Sequence, residues 1–373
     1  MPLSDRFAHT DRVTYLDHAA SGVLSKQTRA ALSDFLNVRS GSTSDDIGGW
    51  TAFEPILISV RERSARLAGC RSDQIAFTAH TSDALSLLAE GLPLQPGDRI
   101  AIPDCEFPAN VYPFQHLERK GVVVDLIPTV RGVVSLDAIE QAMTPRTRLV
   151  SVSWVQFLSG YRLDVPAVAE IVHAQGAWLS VDAIQGAGAL PMDVSAWGAD
   201  WVSCGAQKWL MGMRGVGWAY VSDDLLDVVT PRAGWLGGPV DWNAFTDYDL
   251  HFWPDARRFE IGTHNHAGLV ALDAALAEVE EIGHADCLDR TQNAAARIAH
   301  ELDALGLRRY GSSETAHASG IVTVEVPNAE ALRERLADAG IIVSVRNGLL
   351  RVSPHWYTSE GDVDRLIEVI THV

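Results

Sequence analysis

Between residues 74 and 222, short β-branched, apolar runs alternate with stretches whose apolar positions recur at helical spacing. QIAFT (74–78) precedes TSDALSLLAEGL (81–92), and DRIAIP (98–103) precedes a helical stretch around 109–119 and then VVVDLIP (122–128). TRLVSVSW (147–154) precedes VPAVAEIVHAQG (165–176); AWLSVD (177–182), DWVSCG (200–205) and VGWAYVS (216–222) complete the series. Strands that are apolar on both faces need covering on both faces. The alternation therefore predicts an α/β fold with a mostly parallel sheet between layers of helices.

After about residue 260 the pattern changes. Helical stretches at 267–282 and 285–305 lead to GIVTVEV (320–326), a helix at 328–339, IIVSVR (341–346), LLRVS (349–353) and a last helix from 358. The expected organisation is an N-terminal segment (1–20) that joins a smaller α+β domain (261–373), with a large domain at 21–260. In sheets of this kind ligands bind outside the carboxyl ends of the strands.

Charge narrows the partners. Lys+Arg 30 against Asp+Glu 48 leaves a net charge of −18, which argues against nucleic acid and anionic membrane, because both reward basic surfaces. The opening MPLSDRFAHTDRV has no signal-peptide core, and no apolar run reaches membrane-spanning length. Cys70, Cys105, Cys204 and Cys287 are far apart with no C-x-x-C pair, so no disulfide framework and no metal site is expected. Reduced cysteines in a cytoplasmic protein are the expectation.

Lys208 lies in SCGAQKWLMGMRGVG (203–217), among small and apolar residues. Asp182 closes the strand AWLSVD, Gln185 follows three residues on, and Lys208 comes just past the strand DWVSCG. An acid and a lysine at neighbouring strand ends can meet in one pocket. A lysine that acts as a nucleophile near neutral pH needs its pKa lowered, and apolar surroundings do that by desolvation. The competing reading is a lysine whose stem packs on Trp209 while its head reaches water. GMRGVG (212–217) has the glycines of a nucleotide loop, but the strand-like WAYVS follows where such a loop would open a helix. Thr81 and Ser82 stand where a strand hands over to a helix, and hydroxyls and free N–H groups there suit a phosphate or serve as an ordinary N-cap.

Strand–Asp-x-x-Gln, a lysine after a small-residue turn, then G-x-x-G-x-G and a strand together resemble the class V aminotransferase family. Those proteins are fold-type I pyridoxal-phosphate enzymes and include cysteine desulfurases, kynureninase-like and isopenicillin-N-epimerase-like proteins. The resemblance runs nearly end to end. YLDHAASG (15–22) is similar to the family's amino-terminal signature, FTAHTSDAL (77–85) to its phosphate loop, and EFPANVYP (106–113) to the segment lying on the cofactor ring. RRFEIGTHN (257–265) resembles the loop lent by a neighbouring subunit, and LLRVSPHWY (349–357) the carboxylate-binding strand.

The resemblance implies that Lys208 holds pyridoxal 5'-phosphate as a Schiff base and that Asp182 pairs with the pyridine nitrogen. Gln185 would bond the phenolic oxygen, Phe107 would lie on the ring face, and Gln156 would sit near the ring. Thr81, Ser82 and Gln207 would hold the phosphate, with Thr263 contributed by the second subunit of a homodimer. Arg351 would clamp the substrate carboxylate, a task suited to a planar bidentate donor.

Departures from the desulfurase branch are as informative. Gln207 stands where those enzymes carry a histidine before the lysine, Phe107 or Pro108 where a histidine stacks on the ring, and His80 where the phosphate loop has glycine. Their mobile loop before the carboxylate-binding arginine bears a catalytic cysteine; IIVSVRNGLLR (341–351) is short and has none. The expected activity is therefore at the α-carbon of an amino acid, first as an aminotransferase. β-Elimination or C–S lyase activity comes next, then epimerisation. A non-catalytic scaffold that binds the cofactor is the reading from outside enzymology.

Overall fold

The computed structural model describes residues 2–41, 50–241 and 243–371. Strand β1 (Thr14–Tyr15) comes first, followed by helices α1 (Lys26–Gly41) and α2 (Trp50–Ala68). A seven-stranded sheet then holds β2 (Ile75–Thr78), β3 (Arg99–Pro103), β4 (Val123–Ile127), β5 (Thr147–Ser153), β6 (Trp178–Asp182), β7 (Trp201–Gly205) and β8 (Gly217–Val221). Their spatial order is β2-β8-β7-β6-β5-β3-β4. The block from β4 to β7 is parallel, and β8 is antiparallel to both of its neighbours.

Every position of β2, β7 and β8 is buried, as expected of strands covered on both faces. The strand order places the site. From β3 the chain steps outward to β4 and then returns to β5 on the other side, which opens a crevice at the carboxyl ends of these strands. Ser153, Asp182 and Ser203 lie side by side across β5, β6 and β7 at that edge. Thr78 ends at the same edge, since β8 aligns both Thr78 and Gly205 with Gly217. Helix α3 (Thr81–Gly91) therefore begins there too.

A second core lies beyond the helix His266–Ile282, which packs on α1 and α2. Strands β9 (Arg308–Arg309) and β10 (Val322–Glu325) come next, then β11 (Ile341–Ile342), β12 (Ser344–Arg346) and β13 (Leu349–Val352). A four-stranded sheet has the order β12-β13-β10-β9, while β11 pairs in parallel with β1. Leu16 joins Ile298, Val324, Leu336, Leu350 and Leu366 in this core, so the N-terminal segment packs with the chain's last third. Among the described residues no helix is long and apolar enough to cross a membrane.

Two local expectations differ from the fold. The stretch at 109–119 is not one helix but a 3-10 turn (Pro108–Asn110), one helical turn (Tyr112–Gln115) and a second 3-10 turn (His116–Lys120). Pro108 and Pro113 each lack the N–H that would tie them to the preceding turn. IIVSVR is two strands, β11 and β12, because Ile341–Ile342 pair with β1 while Ser344–Arg346 pair with β13.

Candidate active site

Lys208 stands on a turn that small residues allow. Ala206 N–H donates to the Val216 carbonyl, Gly212 N–H to that of Ala206, and Met211 N–H to that of Lys208. Met211 adopts a left-handed φ of 49°, a conformation that costs a non-glycine residue roughly 1–2 kcal/mol. Trp209 turns into the core, where its Nε1 donates to Gln185 Oε1 (2.9 Å) and its ring stacks on His355. The loop 212–217 leads into β8, a strand, so it lacks the helix that a dinucleotide loop requires.

The Lys208 ammonium lies 5.7 Å from the centroid of the Phe107 ring. Burial drives the Lys208 pKa down, against the pull of Asp182, and the charges of Arg351 and Arg346 press it lower. Burial drives Asp182 up, opposed by the Ile184 N–H that donates to its Oδ1 (2.9 Å), while Glu106 adds to the rise and Lys208 opposes it. Each member of this pair makes the other's charge tolerable. Phe107 is not core packing: 45% of it is exposed, and it meets Phe157 edge to face.

The segment YLDHAASG stitches the site together. Ser353 N–H donates to the Leu16 carbonyl, His18 N–H to the Ser353 carbonyl, and Gly22 N–H to that of Gln207 (2.7 Å). A Cβ at Gly22 would run into the Lys208 carbonyl, so the close approach requires glycine. Gln185 Nε2 donates to the Ala19 carbonyl (3.0 Å). The Trp209 indole can only donate, so it fixes the amide with its NH₂ toward Ala19, and one amide proton remains uncommitted.

Arg351 is 2% exposed, and burial lowers its pKa. Its Nη1 donates to the Phe157 carbonyl (2.8 Å), its Nε to Ser344 Oγ (3.2 Å) and its Nη2 to Asp17 Oδ1 (3.4 Å). Of five guanidinium N–H groups, one on each Nη is left for an incoming carboxylate.

Around the start of α3, His80 Nδ1 and its carbonyl both accept from Asp83 N–H, and Ala84 N–H also reaches that carbonyl. The N–H groups of Thr81 and Ser82 have no such partner among the described residues, and the helix dipole favours an anion there. Thr81 Oγ1 and Gln207 Oε1 are buried without a hydrogen bond. Both border Gly205, where a Cβ would lie 2.5 Å from Gln207 Oε1 and 3.1 Å from Thr81 Oγ1. Ser82 lines a cavity shared with Phe107. Orphaned polar atoms over a glycine, at a helix start beside a buried Asp–Lys pair, fit the phosphate and ring of pyridoxal phosphate.

Two functional candidates carried no role in the sequence reading. Glu106, buried after β3, accepts from Ser153 N–H (2.6 Å), Ser153 Oγ and Gln156 Nε2 (2.7 Å). Burial raises its pKa and those donors oppose the rise. It orients Gln156, whose Oε1 is buried without a partner. Asp17 is the other, beside Arg351. A lone acid inside each of two otherwise uncharged motifs, EFPANVYP and YLDHAASG, is the signal that marks them.

Thr263 is exposed and faces a cavity shared with Thr78, Ala79 and Asp83 rather than with Lys208. The loop before it is anchored by Glu260, whose carboxylate takes both Arg61 Nη atoms, Phe77 N–H and His264 Nε2. Burial alone would raise the Glu260 pKa, yet Arg61 and His264 outweigh it and hold it at about 2. A carboxylate depressed in this way stabilises the fold fully above the ordinary value of 4.5, and the contribution disappears as pH falls toward 2. Glu260→Gln is therefore expected to cost about 3 kcal/mol at pH 7 and progressively less below pH 4. Urea unfolding of both proteins at pH 7 and pH 3 checks this, and an equal cost at the two pH values would contradict it.

The family model for class-V aminotransferases matches residues 14–366. An uncharacterised aminotransferase of Bacillus subtilis is 30% identical over 311 residues, covering 83% of this chain and 82% of that protein. A probable cysteine desulfurase of Methanothermobacter thermautotrophicus is 29% identical, covering 85% of this chain and 83% of its own. Among solved structures, the apo cysteine desulfurase of Thermococcus onnurineus superposes with a TM-score of 0.88 at 23% identity over 100% of this chain and 98% of that one. A C-DES mutant with glycine covalently linked to its pyridoxal-phosphate cofactor gives 0.91 at 20% identity, over 99% and 98%. The solved structures share this fold.

Proposed function

This chain belongs to the class-V aminotransferase family of pyridoxal-phosphate enzymes, and we propose that it transfers the amino group of an α-amino acid to an α-keto acid, without using a protein thiol. The observation that carries the reading is Lys208 Nζ, desolvated beside Asp182 and under the Phe107 ring.

Pyridoxal phosphate, when bound, supplies the electron sink that makes an amino acid's α-proton removable. Thr81, Ser82 and Gln207 would hold its phosphate, and Phe107 would cover one face of its ring. Asp182 is the carboxylate positioned to keep a ring nitrogen protonated, and Gln185, locked by Trp209 and Ala19, offers its spare amide proton to the ring's phenolic oxygen. Gln156, held by Glu106, would sit near the ring. Arg351 receives the substrate carboxylate, with Asp17 and Ser344 setting the plane of its guanidinium. The lowered pKa of Lys208 leaves its Nζ a neutral fraction near physiological pH, so the amine can take the α-proton and return it elsewhere.

Sulfur capture on the protein does not suit this site. β12 and β13 are joined by Asn347 and Gly348, both left-handed (φ 50° and 77°), a two-residue turn with no side chain to carry a thiolate. Burial pushes the thiols of Cys70, Cys105 and Cys287 up to about 12 and that of Cys204 well above its usual value, so none is a ready nucleophile. The same reading makes the enzyme a homodimer in which Thr263 reaches the neighbouring phosphate. The exposed Trp235, Phe245, Tyr248 and Leu250, in the stretch before Thr263, supply apolar area for that contact.

An amino-acid panel, each member supplied with an α-keto acid acceptor other than pyruvate, tests the proposal, scoring keto acid, sulfide, alanine and ammonia separately while sedimentation records the assembly. Keto acid from an amino donor should persist, within about twofold, when all four cysteines are replaced by serine or alanine. Any sulfur released from cysteine should then leave with pyruvate and ammonia. Alanine formation that disappears with one cysteine would overturn the thiol-free reading, and a fully active monomer would remove Thr263 from the site.

A further inference from the structure

Arg346 has no place in the machinery above, yet the fold sets it beside that machinery. In the β12–β13 hairpin Ser344 stands opposite Arg351, and Arg346 stands opposite Leu349. Residues two apart on a strand share a face, so Arg346 is on the face of Ser344 and diagonal to Arg351. Side chains at diagonal positions are within reach of one another when long. The charges of both arginines bear on the Lys208 amine, and Arg346 also bears on Arg351.

The two guanidinium groups differ in what they touch. Arg351 is buried and already tied to Asp17, Ser344 and the Phe157 carbonyl. Arg346 is exposed; its Nη1 donates to the carbonyl of its own neighbour Val345 (2.9 Å), and among the described residues no acid pairs with it. Lys208 has Asp182 and Arg351 has Asp17, which leaves the charge of Arg346 without a carboxylate partner among the described residues. An amino acid held by its α-carboxylate on Arg351 would lie within reach of this second cation, one diagonal step away on the same face.

The geometry points to Arg346 as a second anion clamp, so that the amino acid this enzyme prefers carries a short acidic side chain, a carboxylate or an equivalent oxyanion. The inference rests on the amino-acid reading of the site. The probes are 2-methyl-aspartate and 2-methyl-asparagine, which match in shape, differ in charge and lack the α-proton that turnover needs. Binding to the holoenzyme is measured by calorimetry, independently of activity.

The intact enzyme should bind the aspartate analogue about 10- to 100-fold more tightly, the range expected of one charge-assisted hydrogen-bonded contact. Arg346→Gln should collapse that ratio to about 1–2 by weakening the aspartate analogue alone, and Arg346→Lys should restore part of it. A ratio near 1 in the unaltered enzyme would overturn the inference. So would Arg346→Gln weakening both analogues equally, because Arg346 would then serve the α-carboxylate. If neither analogue binds the unaltered enzyme, this inference is overturned, while the amino-acid reading stands or falls separately on keto acid formation in the amino-acid panel.

Discussion

Lys208→Ala is expected to fold, to lose covalent attachment of pyridoxal phosphate and to lose turnover by at least about 10³-fold. The lower bound follows from the usual 10²–10⁴-fold worth of a positioned proton-transfer group, with the loss of a nucleophile added to it. Folding should survive because the turn is held by backbone bonds through Ala206, Gly212, Met211 and Gly22, none of which uses the lysine side chain. The chain has only three lysines, Lys26, Lys120 and Lys208. Lys26 Nζ donates to the Asp5 carbonyl, and Lys120 is exposed at the end of a 3-10 turn. Borohydride reduction should therefore add the cofactor's mass to the peptide holding residue 208 and to no other. A variant that still fixes the cofactor on Lys26 or Lys120, or keeps turnover within tenfold, would assign the role elsewhere.

The same turn shows what the sequence makes legible. Lys208 stands out in it because charge is absent for several residues on either side, and Asp182 because it ends an otherwise apolar strand. Both are local signals, and so is the strand–helix alternation that sets the sheet. Helices α1 and α2 escaped that reading; α2 carries Pro55 inside it, and α1 has one buried residue, so neither shows a strong apolar stripe. Glu106 and Asp17 were not legible as site residues either. Glu106 is explained by Ser153 and Gln156, which lie 47 and 50 residues away, and Asp17 by Arg351, 334 residues away. Such partners exist only once β3 lies beside β5 and the N-terminal segment lies on the extension of β13. Spacing alone does not contain that adjacency.

Asp182→Asn removes one negative charge with almost no change in shape, which makes it the cleanest probe of the electrostatics under the site. Ile184 N–H can donate to the asparagine oxygen as it does to Oδ1, so the backbone at the end of β6 should stay in place. What disappears is the charge that holds up the Lys208 pKa and that would keep a ring nitrogen protonated. Removing one partner of a buried ion pair costs about 3–5 kcal/mol, which corresponds to a loss of roughly 10²–10⁴-fold in turnover. Pyridoxal phosphate should still bind, more weakly, since Thr81, Ser82 and Gln207 are untouched. Without Asp182, the pKa of Lys208 should fall further under burial, Arg351 and Arg346. In the cofactor-free enzyme the change from protonated to neutral Lys208 as pH rises, followed by the pH dependence of acetylation of its amine, should accordingly move to lower pH. A merely structural aspartate would lower the melting temperature and leave that titration where it was. Turnover within tenfold of the unaltered enzyme, with the cofactor bound and the titration unmoved, would take Asp182 out of the chemistry.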